Sequence, residues 1–424
     1  MNKQSTKHLG AFDPLSAKQD ALTTAQLAAV NSGINSTKVA QIETNKEDIA
    51  AIDDELHGWQ KPADWVDLRA GALPNSFYFL VGHSADYTSY NEFIINAEVS
   101  NSGTYDVFVD GIKKASAVAS GTATTLNWQT LALTSGFDVT YPSALRTHIV
   151  RIAPTSSSNS LSLITSGAAT AQDQGVLWVH STCSQAITIA SMLFGSGYKH
   201  PLCEAFTTSQ ETFKTPWCEY ALAYTNLKTA PVIELTGSGS IFSMYEGTKL
   251  KKAVFKNAQN FGIGFMNSIY AQELQVIGGY IKASYSLFYN LANLKKIQAC
   301  ISFASSSDCD RMFYKTPNVQ TPLFLDASDG TGVTRLTLGG SSTEKVEYVK
   351  GLVVSSSAPF SNANTPQLSV AYSGMDRGAL VTLFNSLPTV TDDQVCDVTG
   401  ATGAADLDAT DLAIATAKGW TVTR

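Results

Sequence analysis

Residue types that carry acid–base or nucleophilic chemistry are scarce in this chain of 424 residues, which holds six histidines and six cysteines. A nucleophilic cysteine needs a base within hydrogen-bond reach. Cys203 follows His200 by three residues, but in an irregular segment this spacing is a weak signal. His148 and His180 fall in strand-like stretches, so both are interpreted as structural. We therefore expect no catalytic histidine or cysteine.

Two pairs of aspartates provide the carboxylates that a glycosidase would need. Asp308 and Asp310 are separated by one residue, and Asp392 and Asp393 are adjacent. Both pairs are predicted to be solvated turn residues. Residues 326–330 resemble a calcium loop but lack the remaining ligands and the closing glutamate. The sequence therefore predicts a protein that is not an enzyme and has no cofactor and no metal.

The composition argues against two further classes of protein, those that bind nucleic acid and those that insert into membranes. Lys and Arg number 29 against 36 Asp and Glu, a net charge of −7, which argues against nucleic-acid binding. No stretch approaches the roughly 18 apolar residues of a membrane span, so we expect no membrane insertion. The N-terminus carries no apolar signal-peptide core, so no export signal is expected. Without a C-x-x-C pair, the cysteines are predicted to be reduced and mostly buried.

Residues 1–57 have a thin apolar stripe whose members recur at steps of three, four and seven. This spacing predicts an N-terminal attachment segment with a coiled-coil helix, broken near residues 33–36. The β-branched residues of the seam favour three strands, hence a homotrimer. The alternative is a helical linker packed on its own chain. The predicted trimerisation seam consists of Leu27, Val30, Ile34, Val39, Ile42, Ile49, Ile52 and Leu56.

Residues 58–155 change to a period of two, which is typical of strands. Phe93, Ile95, Ala97 and Val99 alternate with more polar neighbours. Asp110-Gly111 is a strong signal for a two-residue hairpin turn. We predict a β-sandwich domain here, followed by a flexible join rich in serine.

Residues 166–390 contain degenerate repeats. Leu227, Leu250, Leu274, Leu294 and Val319 each begin a Leu-x-x-apolar pattern, at intervals of 23, 24, 20 and 25 residues. A period in the low twenties is typical of leucine-rich repeats, in which each unit contributes one short strand and a turn or half-helix.

Residues 391–424 are predicted to cap the last repeat, which would otherwise expose its core. Residues 376–387 and 408–418 have helical spacing, and Gly419 follows the second helix as its C-terminal glycine. The predicted fold class is multidomain, mainly β with some α. It comprises a coiled-coil helix, a β-sandwich and a leucine-rich-repeat solenoid with an α/β cap.

Six positions before three of the anchors lie Met244, Phe288 and Phe313, and a tyrosine follows each of them: Tyr245, Tyr289 and Tyr314. Because they recur once per unit, they are candidates for a ladder of rings that binds a receptor. The alternative is that they cap the repeat core.

Two resemblances follow from these patterns. The repeats and tail, roughly residues 176–424, resemble the BspA-like leucine-rich repeats of bacterial surface proteins, as in residues 288–297 (Phe-Tyr-Asn-Leu-Ala-Asn-Leu-Lys-Lys-Ile). The match is partial, because that family often has Cys three residues before the anchor. Residues 18–34 and the stretch 103–111 resemble tail-fibre and receptor-binding proteins of bacteriophages.

The phage resemblance implies a homotrimer in the virion tail, made in the host cytoplasm. Its N-terminus would bind baseplate or tail proteins, and its C-terminal repeats would bind a host cell-surface receptor, either glycan or protein. The sequence thus favours a non-catalytic virion tail fibre. The second hypothesis is a BspA-like bacterial surface adhesin, and the third is a glycan-cleaving tailspike.

Overall fold

A computed structural model describes residues 59–424, apart from 132, 134, 164–174, 187–201, 217, 220–224, 237–239, 243–246, 259 and 262–269. The predicted coiled-coil seam, residues 27–56, lies outside the described residues. The chain divides into one unit, Met1–Gln60, and a second, Lys61–Arg424. The description below concerns the second unit.

The first part of the described chain forms ten strands, some of them with alternating apolar residues. Phe93, Ile95, Ala97 and Val99 are buried on one face of their strand, as predicted. The strands are β1 (Phe77–His83), β2 (Glu92–Val99), β3 (Thr104–Val109), β4 (Ile112–Ala119), β5 (Ala123–Asn127), β6 (Phe137–Val139), β7 (Leu145–Pro154), β8 (Leu161–Leu163), β9 (Val176–Ser181) and β10 (Ala205–Thr208).

These strands form two sheets. The larger has the order β10-β9-β1-β7-β3-β4, with β6 paired to β7, and the smaller has the order β5-β2-β8. Phe79 and Phe93 bring the two sheets together, with ring centroids 5.3 Å apart. The predicted turn between β3 and β4 is confirmed, since Asp110 and Gly111 have φ angles of 48° and 80°.

The chain then forms a series of coils whose strands pair in parallel with those of the next coil. The five repeat anchors are buried in one continuous hydrophobic core. The strands are β11 (Phe213–Thr215), β12 (Cys218–Glu219), β13 (Ile233–Leu235), β14 (Ser240–Phe242), β15 (Lys252–Lys256), β16 (Asn260–Phe261), β17 (Glu273–Lys282), β18 (Lys296–Ser302), β19 (Asp308–Cys309), β20 (Leu323–Ala327), β21 (Arg335–Thr337), β22 (Val349–Val354) and β23 (Leu368–Ser369).

The C-terminal region contains both α-helices of the described residues, α1 (Arg377–Ser386) and α2 (Ala409–Thr416). Both were predicted from the sequence. Asp376 caps α1 by accepting a hydrogen bond from the Ala379 amide, and Asp408 begins a capping box at α2. The last strands, β24 (Gln394–Asp397) and β25 (Trp420–Thr423), continue the parallel sheet β19-β21-β23-β24-β25. Within the described part of the chain, no helix is long and apolar enough to cross a membrane.

The predicted fold class is wrong. The regular structure of the described residues is mainly β, with 38% of them in strands of several sheets and only two short α-helices. The larger N-terminal sheet is not an isolated antiparallel layer, because it includes β9 and β10, and β10 runs parallel to β9. The first coils each carry two strands, such as β15 and β16, instead of one strand and a half-helix. Only residues 257–259 separate that pair, too few for a helical turn.

Candidate functional site

The most exposed large apolar side chain of the described residues lies on β20. Along this strand the burial alternates, so that Leu323 and Leu325 point into the core while Phe324 and Asp326 point outward. Phe324 is 76% exposed. A single exposed apolar residue is ordinary, but a ring at the edge of a cavity is a candidate contact for a ligand.

Phe324 borders an open groove of about 340 Å³ between β20, β22 and α1. Gly351 lies opposite Phe324 in the parallel register. A Cβ atom at Gly351 would lie 3.0 Å from Cδ1 of Phe324, so the glycine allows the ring to lie close over the neighbouring strand. On the helix side the groove is lined by Ala379 and Thr382.

Two charged residues of opposite sign also line the groove, Asp326 on β20 and Lys350 on β22. The Ser328 side chain and amide donate hydrogen bonds to Asp326 and lower the pKa of its carboxyl. Its Oδ1 atom lies 3.0 Å from the Ser328 amide nitrogen. The carboxylate is therefore ionised at neutral pH, and the groove combines an aromatic surface with a hydrogen-bond acceptor and a cationic donor.

Two of the three predicted ladder tyrosines meet. The rings of Tyr289 and Tyr314 stack with centroids 5.4 Å apart and planes 25° apart, and both side chains are half-buried. Tyr245 lies outside the described residues. The Arg311 guanidinium and the Lys315 ammonium lie 5.6 Å and 5.5 Å from the Tyr314 ring centroid. The pair therefore forms an aromatic surface with a cationic border.

The preceding aromatic residues have a different role. Phe288 and Phe313 are fully buried and stack with centroids 5.2 Å apart. These two rings fill the core of adjacent coils. The tyrosine that follows each of them is half-buried, so part of its side chain contacts solvent.

The two predicted carboxylate pairs differ in exposure to solvent, since Asp392 and Asp393 are both exposed, as predicted, whereas Asp310 is not. Asp310 is buried and forms an ion pair with Arg335, whose Nη1 lies 2.8 Å from Oδ2, so the prediction of a solvated turn residue is wrong for Asp310. The neighbouring Asp308 accepts a hydrogen bond from the Asp310 amide.

The loop 326–330, which resembles a calcium loop in sequence, has its carboxylates occupied by other groups. Asp326 accepts a hydrogen bond from the Ser328 amide, and Asp329 accepts one from the Ser302 hydroxyl. The described residues contain no cluster of three or more potential metal ligands.

Five cysteines are unpaired, and four of these are buried: the five are Cys183, Cys203, Cys300, Cys309 and Cys396. Burial raises the pKa of Cys183 and Cys309 to about 12, and that of Cys203 and Cys396 further still. These four are therefore thiols at neutral pH and not nucleophiles. Cys300 is exposed, and the other four agree with the prediction that the cysteines are mostly buried. His200, the suggested partner of Cys203, lies outside the described residues.

A second polar cluster joins the loop after β6 to the start of the coils. The Tyr141 hydroxyl donates a hydrogen bond of 2.6 Å to Oε1 of the buried Glu204. Lys228 donates to the Tyr141 oxygen at 2.9 Å and lies 3.3 Å from the same Glu204 oxygen. Burial opposes the charge of Lys228, but its hydrogen bonds and the Glu204 carboxylate raise its pKa. The polar groups of this cluster are therefore satisfied by one another.

Comparison with protein-family models, with curated proteins and with solved structures finds no match to this chain. The resemblances to phage fibres and to BspA-like repeats therefore stay predictions. Sequence reasoning found the tyrosine pair through its recurrence but missed the Phe324 groove. In the sequence Phe324 stands between Leu323 and Leu325, so the residue types give no sign that this one side chain points outward.

Proposed function

We propose that this protein is a phage tail fibre that attaches to the surface of its bacterial host, and that the groove beside Phe324 binds a glycan there. The observation that carries the proposal is the largely exposed Phe324 ring at the edge of a groove with one carboxylate and one ammonium group. A sugar ring has an apolar face that stacks on an aromatic ring, and hydroxyls that bond to charged groups.

The size of the groove favours a glycan over a protein receptor. Its volume of about 340 Å³ falls at the lower end of small-ligand sites, which span roughly 300–1,000 Å³. A stable protein interface buries about 800 Å² on each partner and usually centres on several large side chains. The groove presents one aromatic ring, which suits one or two sugar units of a polymer.

The groove is suited to binding without cleavage. A glycosidase places two carboxyl groups on either side of the scissile bond. Among the described lining residues, Asp326 is the only carboxylate. Release of reducing sugar from host envelope material by the full chain would instead support a glycan-cleaving tailspike.

Replacing Phe324 with alanine tests the proposal. We expect the apparent affinity of the fluorescently labelled full chain for host cells to fall at least about tenfold, because a buried aromatic contact contributes about 1.4 kcal/mol or more to binding. Phe137→Ala is the matched control, since Phe137 is an exposed phenylalanine on β6, in the antiparallel part of the fold. Equal binding by Phe324→Ala and the parent protein would contradict the proposal.

The chemical class of the receptor is tested separately. Purified host polysaccharide is expected to compete for binding, and protease treatment of the cells is expected to leave binding intact. Loss of binding on protease treatment, without competition by the polysaccharide, would favour a protein receptor instead.

The tyrosine pair provides a second test on the same cells. Tyr289→Ala combined with Tyr314→Ala is expected to weaken binding about threefold, because each half-buried ring offers less area than Phe324. Circular dichroism should show unchanged folding, since the buried Phe288 and Phe313 remain in place. Unchanged binding by a folded double variant would remove the tyrosines from the receptor surface.

A further inference from the structure

Two buried histidines meet edge to edge in the antiparallel part of the fold. His83 ends β1 and His148 lies in β7, and both are buried. Their Nε2 atoms are 3.3 Å apart. The ring planes differ by only 9°, with centroids 5.4 Å apart, so the two nitrogens face each other nearly in one plane.

The outer nitrogens of both rings face oxygen atoms. Nδ1 of His148 lies 2.8 Å from Oδ2 of Asp110, and Nδ1 of His83 lies 2.8 Å from the Ser84 carbonyl oxygen. A carboxylate and a carbonyl only accept hydrogen bonds, so both Nδ1 atoms carry hydrogen. A neutral imidazole has a single N–H group. Two neutral rings would therefore direct two bare lone pairs at each other across 3.3 Å.

We propose that the pair binds one proton between the two Nε2 atoms. His148 is then a buried imidazolium that donates one hydrogen bond to Asp110 and one to His83. His83 is the neutral acceptor, and it donates its own N–H to the Ser84 carbonyl. The Asp110 carboxylate balances the positive charge, as a buried ion requires.

The surroundings of Asp110 keep it ionised. Burial acts to raise its pKa, but hydrogen bonds from His148, Ser135 and the Ile149 amide outweigh burial and hold the pKa below its usual range. The Ser135 hydroxyl donates to Oδ2 at 2.7 Å, and the Ile149 amide donates to Oδ1 at 2.8 Å. Asp110 is therefore an acceptor with a full negative charge.

The surroundings of His83 keep it neutral. Burial lowers its pKa most, the Ser84 carbonyl opposes this, and the charges of His148 and Arg146 lower it further. Arg146 is itself paired with Asp138 of β6, at 3.1 Å. From the loop after β1, the exposed Asp86 bonds to the Ser84 hydroxyl. These groups, with Asp110, are the charges that face the pair.

The packing favours a proton over a metal ion between the nitrogens. Trp128 stacks against both rings, with centroids 5.2 Å from His148 and 5.8 Å from His83, and Tyr87 stacks on His83 at 4.8 Å. A Cβ atom at Gly136 would lie 2.6 Å from Cε1 of His148, so this side is closed too. Zinc needs four ligands, and the described residues here supply only the two facing nitrogens.

The proposal fixes the sign of a pH dependence. In the unfolded chain both histidines titrate near 6.5. A proton held by the folded pair stabilises the fold only while it stays bound, so this contribution is lost as the pH rises until the proton leaves. The lowered pKa of His83 opposes a second proton, so stability also decreases as the pH falls below 6.5. Stability should therefore be greatest near neutral pH.

Nitrogen-15 NMR of the full chain with labelled histidine tests this directly. At pH 7.5 we expect both ring nitrogens of His148, identified by its contact with Gly136, to have imidazolium shifts. His83, identified by its contact with Tyr87, should have the shifts of a neutral ring. Two neutral rings at this pH would overturn the proposal. A change of these signals after dialysis against a chelator would also overturn it, in favour of a metal ion.

Asp110→Asn supplies an independent test, because the amide keeps the size of the side chain but removes the charge. We expect the denaturation midpoint of the parent protein to fall between pH 7 and pH 9, and that of Asp110→Asn to stay flat over this range. The matched control is Asp106→Asn on β3, which removes the partly buried carboxylate partner of Lys113 and should retain the parental pH profile. Identical profiles for the parent and Asp110→Asn would contradict the shared proton.

Discussion

Asp310→Ala is expected to destabilise the protein by about 3 kcal/mol or more, because it leaves a nearly buried arginine without its partner. Arg335 is only 14% exposed and lies 2.8 Å from the Asp310 carboxylate. The carboxylate also accepts a hydrogen bond from the Thr337 hydroxyl. The measurement is chemical denaturation of the full chain, followed by tryptophan fluorescence.

The double variant Asp310→Ala with Arg335→Met distinguishes the lost pair from a general packing defect. Removing the arginine charge along with its partner should restore part of the lost stability, since the unpaired buried charge is the main cost. If the single and double variants unfold at the same denaturant concentration, the ion pair is not the cause. Oδ2 of Asp310 also lies 3.6 Å from Nε of Arg311, which borders the Tyr314 ring, so the loss of Asp310 should also weaken host binding.

Gly374→Ala is expected to be similarly damaging, by about 3 kcal/mol, although it adds a single methyl group. The new Cβ atom would lie 1.8 Å from the carbonyl oxygen of Glu347, which is a backbone atom and not a flexible side chain. Val346 and Ser373 form a parallel bridge beside this point, so two backbone segments must separate. Denaturation of the full chain measures the effect.

Gly378→Ala is the matched control for this substitution. Gly378 lies in the first turn of α1, and its added Cβ atom would have an ordinary 3.5 Å contact with Asp376. Alanine in a helix is favoured over glycine by about 0.5–1 kcal/mol, so this variant should be equal to or more stable than the parent. Equal destabilisation by both variants would show that the close approach at Gly374 has no special importance.

Local patterns predicted local structure well in this protein. The alternation at 93–99, the Asp110-Gly111 turn and the two capped helices are each determined by neighbours in the sequence, and the structure confirms them. The architecture was less predictable, because the pairing of β9 with β1 and of β10 with β9 depends on contacts between distant segments. The second strand of each early coil was missed because strands of two or three residues leave no periodic signal.

Of the candidate functional sites, one could be predicted from the sequence and two could not. Tyr289 and Tyr314 were predictable because each follows an aromatic residue at a fixed distance from an anchor. Phe324 was not, since an apolar residue in a strand usually indicates the core. The meeting of His83 and His148 was also beyond sequence reasoning, because it follows from the antiparallel register in which Val81 lies opposite His148.

The parallel stacking of the coils has a consequence for how this protein changes over evolutionary time. Each coil pairs with the coils before and after it, so a coil can be duplicated or deleted without altering the hydrogen-bond pattern of the others. One such event would displace the C-terminal helices, and the groove that α1 helps to line, by about 4.8 Å, the spacing of neighbouring strands. The chain can thus vary the distance between its two ends in small fixed increments while its ligand-contacting residues stay unchanged.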